Sequence, residues 1–86
     1  MKTEKLFGNA EIENIIGGLP ENTEGVTDKS GDVKNGYCFF AVKGEKTDGR
    51  EFVSEAIANG ASIIVSEGRL DALPGGVCNV IVRDIR

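Results

Sequence analysis

Three runs of apolar residues, Tyr37 to Val42, Ala61 to Val65 and Val77 to Val82, punctuate a chain that is otherwise polar and turn-rich. Each is short, rich in β-branched or aromatic residues and bounded by turn residues, as a strand covered on both faces is. Between the first two, Phe52, Val53, Ala56 and Ile57 recur at helical spacing until Gly60, which predicts a helix over 49–59. Asp48 and Glu51 have the spacing of a capping box at its start. A helix of about three turns between two strands is the usual crossover of a parallel pair. Strand 37–42, helix 49–59 and strand 61–65 therefore form a βαβ unit, and 77–82 adds a further strand. The fold class that follows is α/β, a small layered domain.

The remaining segments are less regular. Ile12, Ile15, Ile16 and Leu19 follow helical spacing, with Asn9 placed to cap and Glu11 and Glu13 near the start, so a helix is expected before Gly17 and Gly18. Residues 20–36 read as a loop, with a short edge strand at Val26 and Thr27 and a turn at Lys34 to Gly36. Residues 67–76 read as a second loop, with room for one helical turn at 69–72.

A length of 86 residues allows one small domain, burying about 60% of the surface its unfolded chain exposes. The net charge of -4 argues against nucleic acid or an anionic membrane as partner, since both need a basic footprint. No apolar run approaches the roughly 20 residues that span a bilayer. Leu6 and Phe7 are too short a pair for a signal-peptide core, so a cytoplasmic location is expected. Cys38 and Cys78 lie in separate apolar runs without a Cys-x-x-Cys spacing, which predicts buried free thiols. The chain has no histidine, which removes His-based triads and His metal sites. It also lacks a Gly-x-x-x-x-Gly-Lys-Ser/Thr loop and a Gly-x-Gly-x-x-Gly turn, so it is not expected to hydrolyse ATP by itself. The chain ends at Arg86 directly after a strand, without a closing turn cluster, which suggests a domain that continues into a longer enzyme.

Two segments could carry chemistry. The loop Lys43, Gly44, Glu45, Lys46, Thr47, Asp48, Gly49, Arg50 leaves the carboxyl end of a strand, where open α/β sheets bind ligands. Its amides, with Lys43, Lys46 and Arg50, could hold a diphosphate. Spacing alone favours the plainer reading, a solvated loop in which Asp48 caps the helix. Ser30 sits in the cluster Thr27, Asp28, Lys29, Ser30, Gly31, Asp32, which by itself is most often only a turn. Asp28 and Asp32 lack a third ligand, so a metal site is rejected.

The order of these motifs carries more than any one of them. The segment TDKSGDVKNGYCFFAVKGEKTDGREFVSEAIANGASIIVSE, residues 27–67, resembles the first domain of the Mur ligases, above all the MurE-type UDP-N-acetylmuramoyl-tripeptide synthetases, with the MurF type a near neighbour. The family pattern is a Ser in Asp-Ser-Arg, then Val-x-x-Gly, Phe-x-Ala, a Gly, Asp-Gly, an aromatic, and Ala-x-x-x-Gly-Ala before a valine-rich strand. Ser30, Val33, Gly36, Phe39 or Phe40 with Ala41, Gly44, Asp48, Gly49, Phe52, Ala56, Gly60 and Ala61 meet it without a gap. Lys29 and Gly31 stand where the family usually has the Asp and the Arg.

This resemblance implies that the chain is the UDP-substrate-binding N-terminal domain, residues 1–86, of a larger ligase. It would hold the UDP part of a UDP-N-acetylmuramoyl-peptide through Ser30, Lys46, Thr47, Asp48, Gly49 and Arg50. It also implies no catalytic residue and no cofactor on this chain, with ATP and Mg used by a central domain of the same protein that this one would contact. The parent would add meso-diaminopimelate or lysine during peptidoglycan synthesis. The competing readings are a non-catalytic regulatory domain of similar shape, like the N-terminal domain of HPr kinase, and a free-standing interaction module.

Overall fold

The computed structural model describes residues 2–7, 12–41, 52–68, 70 and 73–83. In chain order the elements are α1 (Thr3–Leu6), β1 (Ile12–Ile16), β2 (Gly25–Thr27), a 3-10 turn (Ser30–Asp32), β3 (Tyr37–Phe40), α2 (Val53–Ala58), β4 (Ile63–Ser66) and β5 (Cys78–Val82). The strands form one sheet in the order β1-β5-β4-β3-β2. β2, β3, β4 and β5 run parallel, and β1 joins the far edge antiparallel to β5.

The βαβ unit is present, with trimmed ends. β3 stops at Phe40, although Ala41 N–H still donates to Val65 O at 2.9 Å; Val42 lies outside the described residues. β4 starts at Ile63; Ala61 N–H to Ala56 O closes the turn out of α2, and Ser62 N–H bonds Tyr37 O of β3. The N-cap of α2 as described is Phe52, with no side chain capping it; Asp48 and Glu51 lie outside the described residues, as do Arg69, Asp71 and Ala72.

β4 and β5 are buried along their whole length, as central parallel strands are when both faces are covered. On one face Phe7, Cys38, Ile63, Val65, Cys78, Val80 and Val82 pack with Leu6, Ile12 and Phe40. On the other, Val33, Phe39, Ala41, Ala61 and Ile64 pack under Val53 and Ala56 of α2. Cys38, Ile63 and Cys78 are register partners across β3, β4 and β5. Two strand spacings put the cysteine Cα atoms about 9–10 Å apart, beyond the roughly 7 Å a disulfide tolerates; both thiols are free and buried.

The expected helix at Ile12 to Leu19 is replaced by strand β1. The ladder with β5 pairs Ile12 with Val82, Ile15 with Val80 and Ile16 with Asn79, and its register shifts between Ile12 and Asn14. Such a bulge inserts one residue and resets the alternation of faces. Ile12 and Ile15, three apart, thereby come to one side of the sheet, while Ile16 turns to the other. A bulged edge strand thus sets Ile12 and Ile15 on one side at the i, i+3 spacing of a helix.

Candidate functional site

Because β2 and β3 are parallel, the segments that follow them leave the same carboxyl edge of the sheet. After Thr27 the chain turns, with Lys29 N–H donating to Thr27 Oγ1 at 3.1 Å. It then forms the 3-10 turn Ser30–Asp32, closed by Asp32 N–H to Lys29 O at 3.0 Å and Val33 N–H to Ser30 O at 3.3 Å. Val33 is buried in the core under α2, so the turn is held against that helix.

Ser30 is fixed at two points by α2. Its hydroxyl donates to Glu55 Oε1 at 2.8 Å, and its carbonyl accepts from Asn59 Nδ2 at 2.9 Å. Glu55 and Asn59 are one helical turn apart and present both groups on one face. Neither was singled out from the sequence; the available signal was an i, i+4 polar pair on a helix whose Val53 and Ala56 face the core. Gly60 completes the junction. Its carbonyl accepts from Gly36 N–H at 2.9 Å, and a Cβ there would lie 2.6 Å from Asn35 Cα.

Of the residues expected to bind substrate, Ser30 is described, three residues beyond β2 and bonded to α2. Lys46, Thr47, Asp48, Gly49 and Arg50 lie outside the described residues, between Ala41 and Phe52. Glu55 is the carboxylate that meets Ser30; Asp28, Lys29 and Asp32 flank it in sequence and are exposed.

A second polar cluster lies inside the sheet. Asn79, 1% exposed, donates to Ile64 O and Ser66 Oγ, each at 3.0 Å, and accepts from Leu70 N–H at 3.1 Å. Ser66 Oγ in turn donates to Gly68 O. This network pins the loop after β4 beneath a groove of about 330 Å³ lined by Ile16, Leu70, Leu73, Pro74, Val77 and Asn79. A second depression, of about 220 Å³, lies between Lys2 to Glu4 and Leu19 to Glu21. Neither adjoins Ser30. Among the described residues no three His, Cys, Asp or Glu side chains converge as metal ligands, and no helix is long and apolar enough to cross a membrane.

Residues 22–84 match the family described as "Mur ligase family, catalytic domain". The chain belongs to the Mur ligase family. Its curated relatives are of the MurE type. The UDP-N-acetylmuramoyl-L-alanyl-D-glutamate--2,6-diaminopimelate ligase of Caldanaerobacter subterraneus subsp. tengcongensis is 41% identical over 76 residues, 87% of this chain and 16% of the relative. The corresponding ligase of Phocaeicola vulgatus is 33% identical over 84 residues, 98% of this chain and 17% of the relative. The L-lysine ligase of Staphylococcus epidermidis is 32% identical over the same span. This Mur ligase chain therefore covers about a sixth of the length of these relatives, and it matches diaminopimelate and lysine ligases alike.

Among solved structures, MurF from Acinetobacter baumannii superposes with a TM-score of 0.76 at 22% identity, covering 98% of this chain and 18% of that one, which bears on the fold. MurF from Thermotoga maritima in complex with ADP superposes at 0.62 with 32% identity, covering 73% of this Mur ligase chain and 14% of that one.

Proposed function

We propose that this Mur ligase chain binds the UDP part of UDP-N-acetylmuramoyl-dipeptide for an ATP-dependent ligase that adds the third amino acid of the peptidoglycan peptide. The observation that carries the reading is the position of Ser30. It follows the carboxyl end of β2 by three residues, is fixed there by Glu55 and Asn59, and lies inside the residues that match the family. Ligands of open α/β sheets bind outside the carboxyl ends of the strands.

The role is anchoring. Remote binding energy at the nucleotide positions the distant peptide carboxylate for activation and attack elsewhere in the protein. The sequence has no phosphate loop, so no step through ATP or Mg falls on this chain's residues. Cytoplasmic location and contact with a central ATP-binding domain belong to the same proposal.

Titration with UDP, followed residue by residue through NMR chemical shifts, tests the site. Weak binding is expected, in the millimolar range, with shifts at residues 28–32 and 44–50. No shifts at several millimolar UDP, or shifts clustered at 67–76, would overturn it.

A further inference from the structure

Two Asn-Gly pairs occur in the chain, Asn35-Gly36 and Asn59-Gly60, and the fold brings them together. Gly36 N–H donates to Gly60 O at 2.9 Å, and a Cβ built on Gly60 would lie 2.6 Å from Asn35 Cα and 3.2 Å from its Oδ1. Asparagine is among the thermolabile residues, most of all before glycine, because a residue without Cβ lets its amide nitrogen approach the carboxamide carbon.

We infer that Asn35 is a self-modification site, converting to aspartate and isoaspartate through the Gly36 nitrogen, and that the bond from Gly36 to Gly60 is the gate on its rate. The Gly36 nitrogen, its proton taken by hydroxide, attacks Asn35 Cγ. The new N–Cγ bond closes a five-membered succinimide, and the Cγ–Nδ2 bond breaks, the nitrogen leaving as ammonia with a proton from water. Water then opens the ring. Attack at Cγ breaks the new bond and gives aspartate; attack at the main-chain carbonyl breaks the old peptide bond and gives isoaspartate.

Asn35 is singled out over Asn59 by what holds each. Gly60 N–H donates to Ile57 O at 3.0 Å, and Asn59 N–H closes the end of α2 on Glu55 O at 2.9 Å. The Asn59 carboxamide is tied as well, through Nδ2 to Ser30 O at 2.9 Å. Asn35 is exposed, and its carboxamide has no such tie among the described residues. It waits on the Gly36 bond alone.

The product loosens the junction that admits it. Isoaspartate carries the main chain through Cβ and so adds a backbone atom just ahead of Gly36, whose carbonyl accepts from Glu24 N–H at 3.1 Å while its own N–H reaches Gly60 O. Those two bonds tie the segments entering β2 and β4 to the start of β3.

Conversion of Asn35 and hydrogen exchange at Gly36 both require the same nitrogen to lose its proton, so one local opening governs both. The test ages the unsubstituted chain in mildly alkaline buffer with and without urea, then maps it by digestion and mass spectrometry, with isoaspartate scored by an isoaspartate-specific methyltransferase. NMR of fresh chain gives the Gly36 protection factor. Asn35 is expected to convert ahead of Asn59, and at least about tenfold more slowly folded than in urea. The slowing should equal the Gly36 protection factor within about threefold, since the opening is shared. Asn35→Gln, which would need a six-membered ring, should stay unmodified and keep its Gly36 protection on ageing, while the aged parent loses it as isoaspartate accumulates. Gly60→Ala, checked by its thermal melt, should speed exchange and conversion by the same factor. Conversion as fast folded as in urea, conversion at Asn59 first, or a slowing about tenfold or more away from the Gly36 protection factor overturns the inference, and all three are read on the unsubstituted chain.

Discussion

A methyl group added at Gly60 and one added at Gly31 have opposite consequences, although both glycines adjoin the candidate site. Gly60 has φ of +112°, and its Cβ would lie 2.6 Å from Asn35 Cα and 2.9 Å from Asn35 N, backbone atoms that cannot step aside. Gly31 lies outside the positive-φ glycines, and its Cβ would meet nothing nearer than Glu55 Oε1 at 4.0 Å. Gly60→Ala should therefore destabilise by at least about 2 kcal/mol, from the left-handed backbone and the collision together. Gly31→Ala should stabilise by about 0.4–1 kcal/mol through the unfolded chain. At about 4–8 °C per kcal/mol for a domain of this size, thermal melts separate the two; equal melting temperatures would contradict this placement of Gly60. The sequence marks both positions as glycine and cannot tell them apart, because the distinction lies in where Asn35 comes to rest. Ser30 stands out in the sequence through its motif. Its partners Glu55 and Asn59 do not, since they sit 25 and 29 residues away and carry no local pattern beyond an ordinary exposed helix face.

Elements were legible where burial is two-sided. The runs giving β3, β4 and β5 are apolar because both faces are covered, and length with flanking turns then suffices. β1 was misread because its bulge brings Ile12 and Ile15, three apart, to one side of the sheet, a spacing that reads as helical. Two changes test that account. Ile12 packs against the core, whereas Ile15 is 39% exposed. Ile12→Ala should cost about 2 kcal/mol and Ile15→Ala less than half as much, read as urea midpoints. Deleting Glu13 would remove the extra residue and swing Ile12 to the opposite face, costing more than either. A Glu13 deletion as stable as the parent would refute the bulge. Depth within an apolar run was also hidden. β3 reads as uniformly apolar, yet its middle residues Cys38 and Phe39 are 0% and 1% exposed while Phe40 at its end is only partly buried.

For the molecule as a whole, the buried thiols set an alkaline limit. Cys38 is pushed from 9.0 up to about 12, first by burial and then by the neighbouring Cys78; burial also raises Cys78. The folded state keeps these protons while the unfolded state releases them, so the unfolded state binds fewer protons above about pH 9. Stability is then whole below pH 9 and falls as pH rises toward 12, by on the order of 1 kcal/mol per pH unit from Cys38. Replacing both cysteines by alanine should flatten that alkaline decline in urea midpoints, whatever it does to stability at pH 7; an unchanged decline would assign it to other groups.

The row Cys38, Ile63, Cys78 also furnishes a clock. The thiolate is the reactive form, so neither sulfur can be alkylated until the strands around Ile63 come apart. If β3, β4 and β5 separate as one cooperative unit, the two cysteines will take up an alkylating reagent together, and at reagent concentrations high enough for alkylation to outpace reclosing their common rate is the rate of opening of the central sheet. If one strand frays independently, one cysteine will be labelled ahead of the other. The first residue modified, read by mass spectrometry, would name the strand that leaves first.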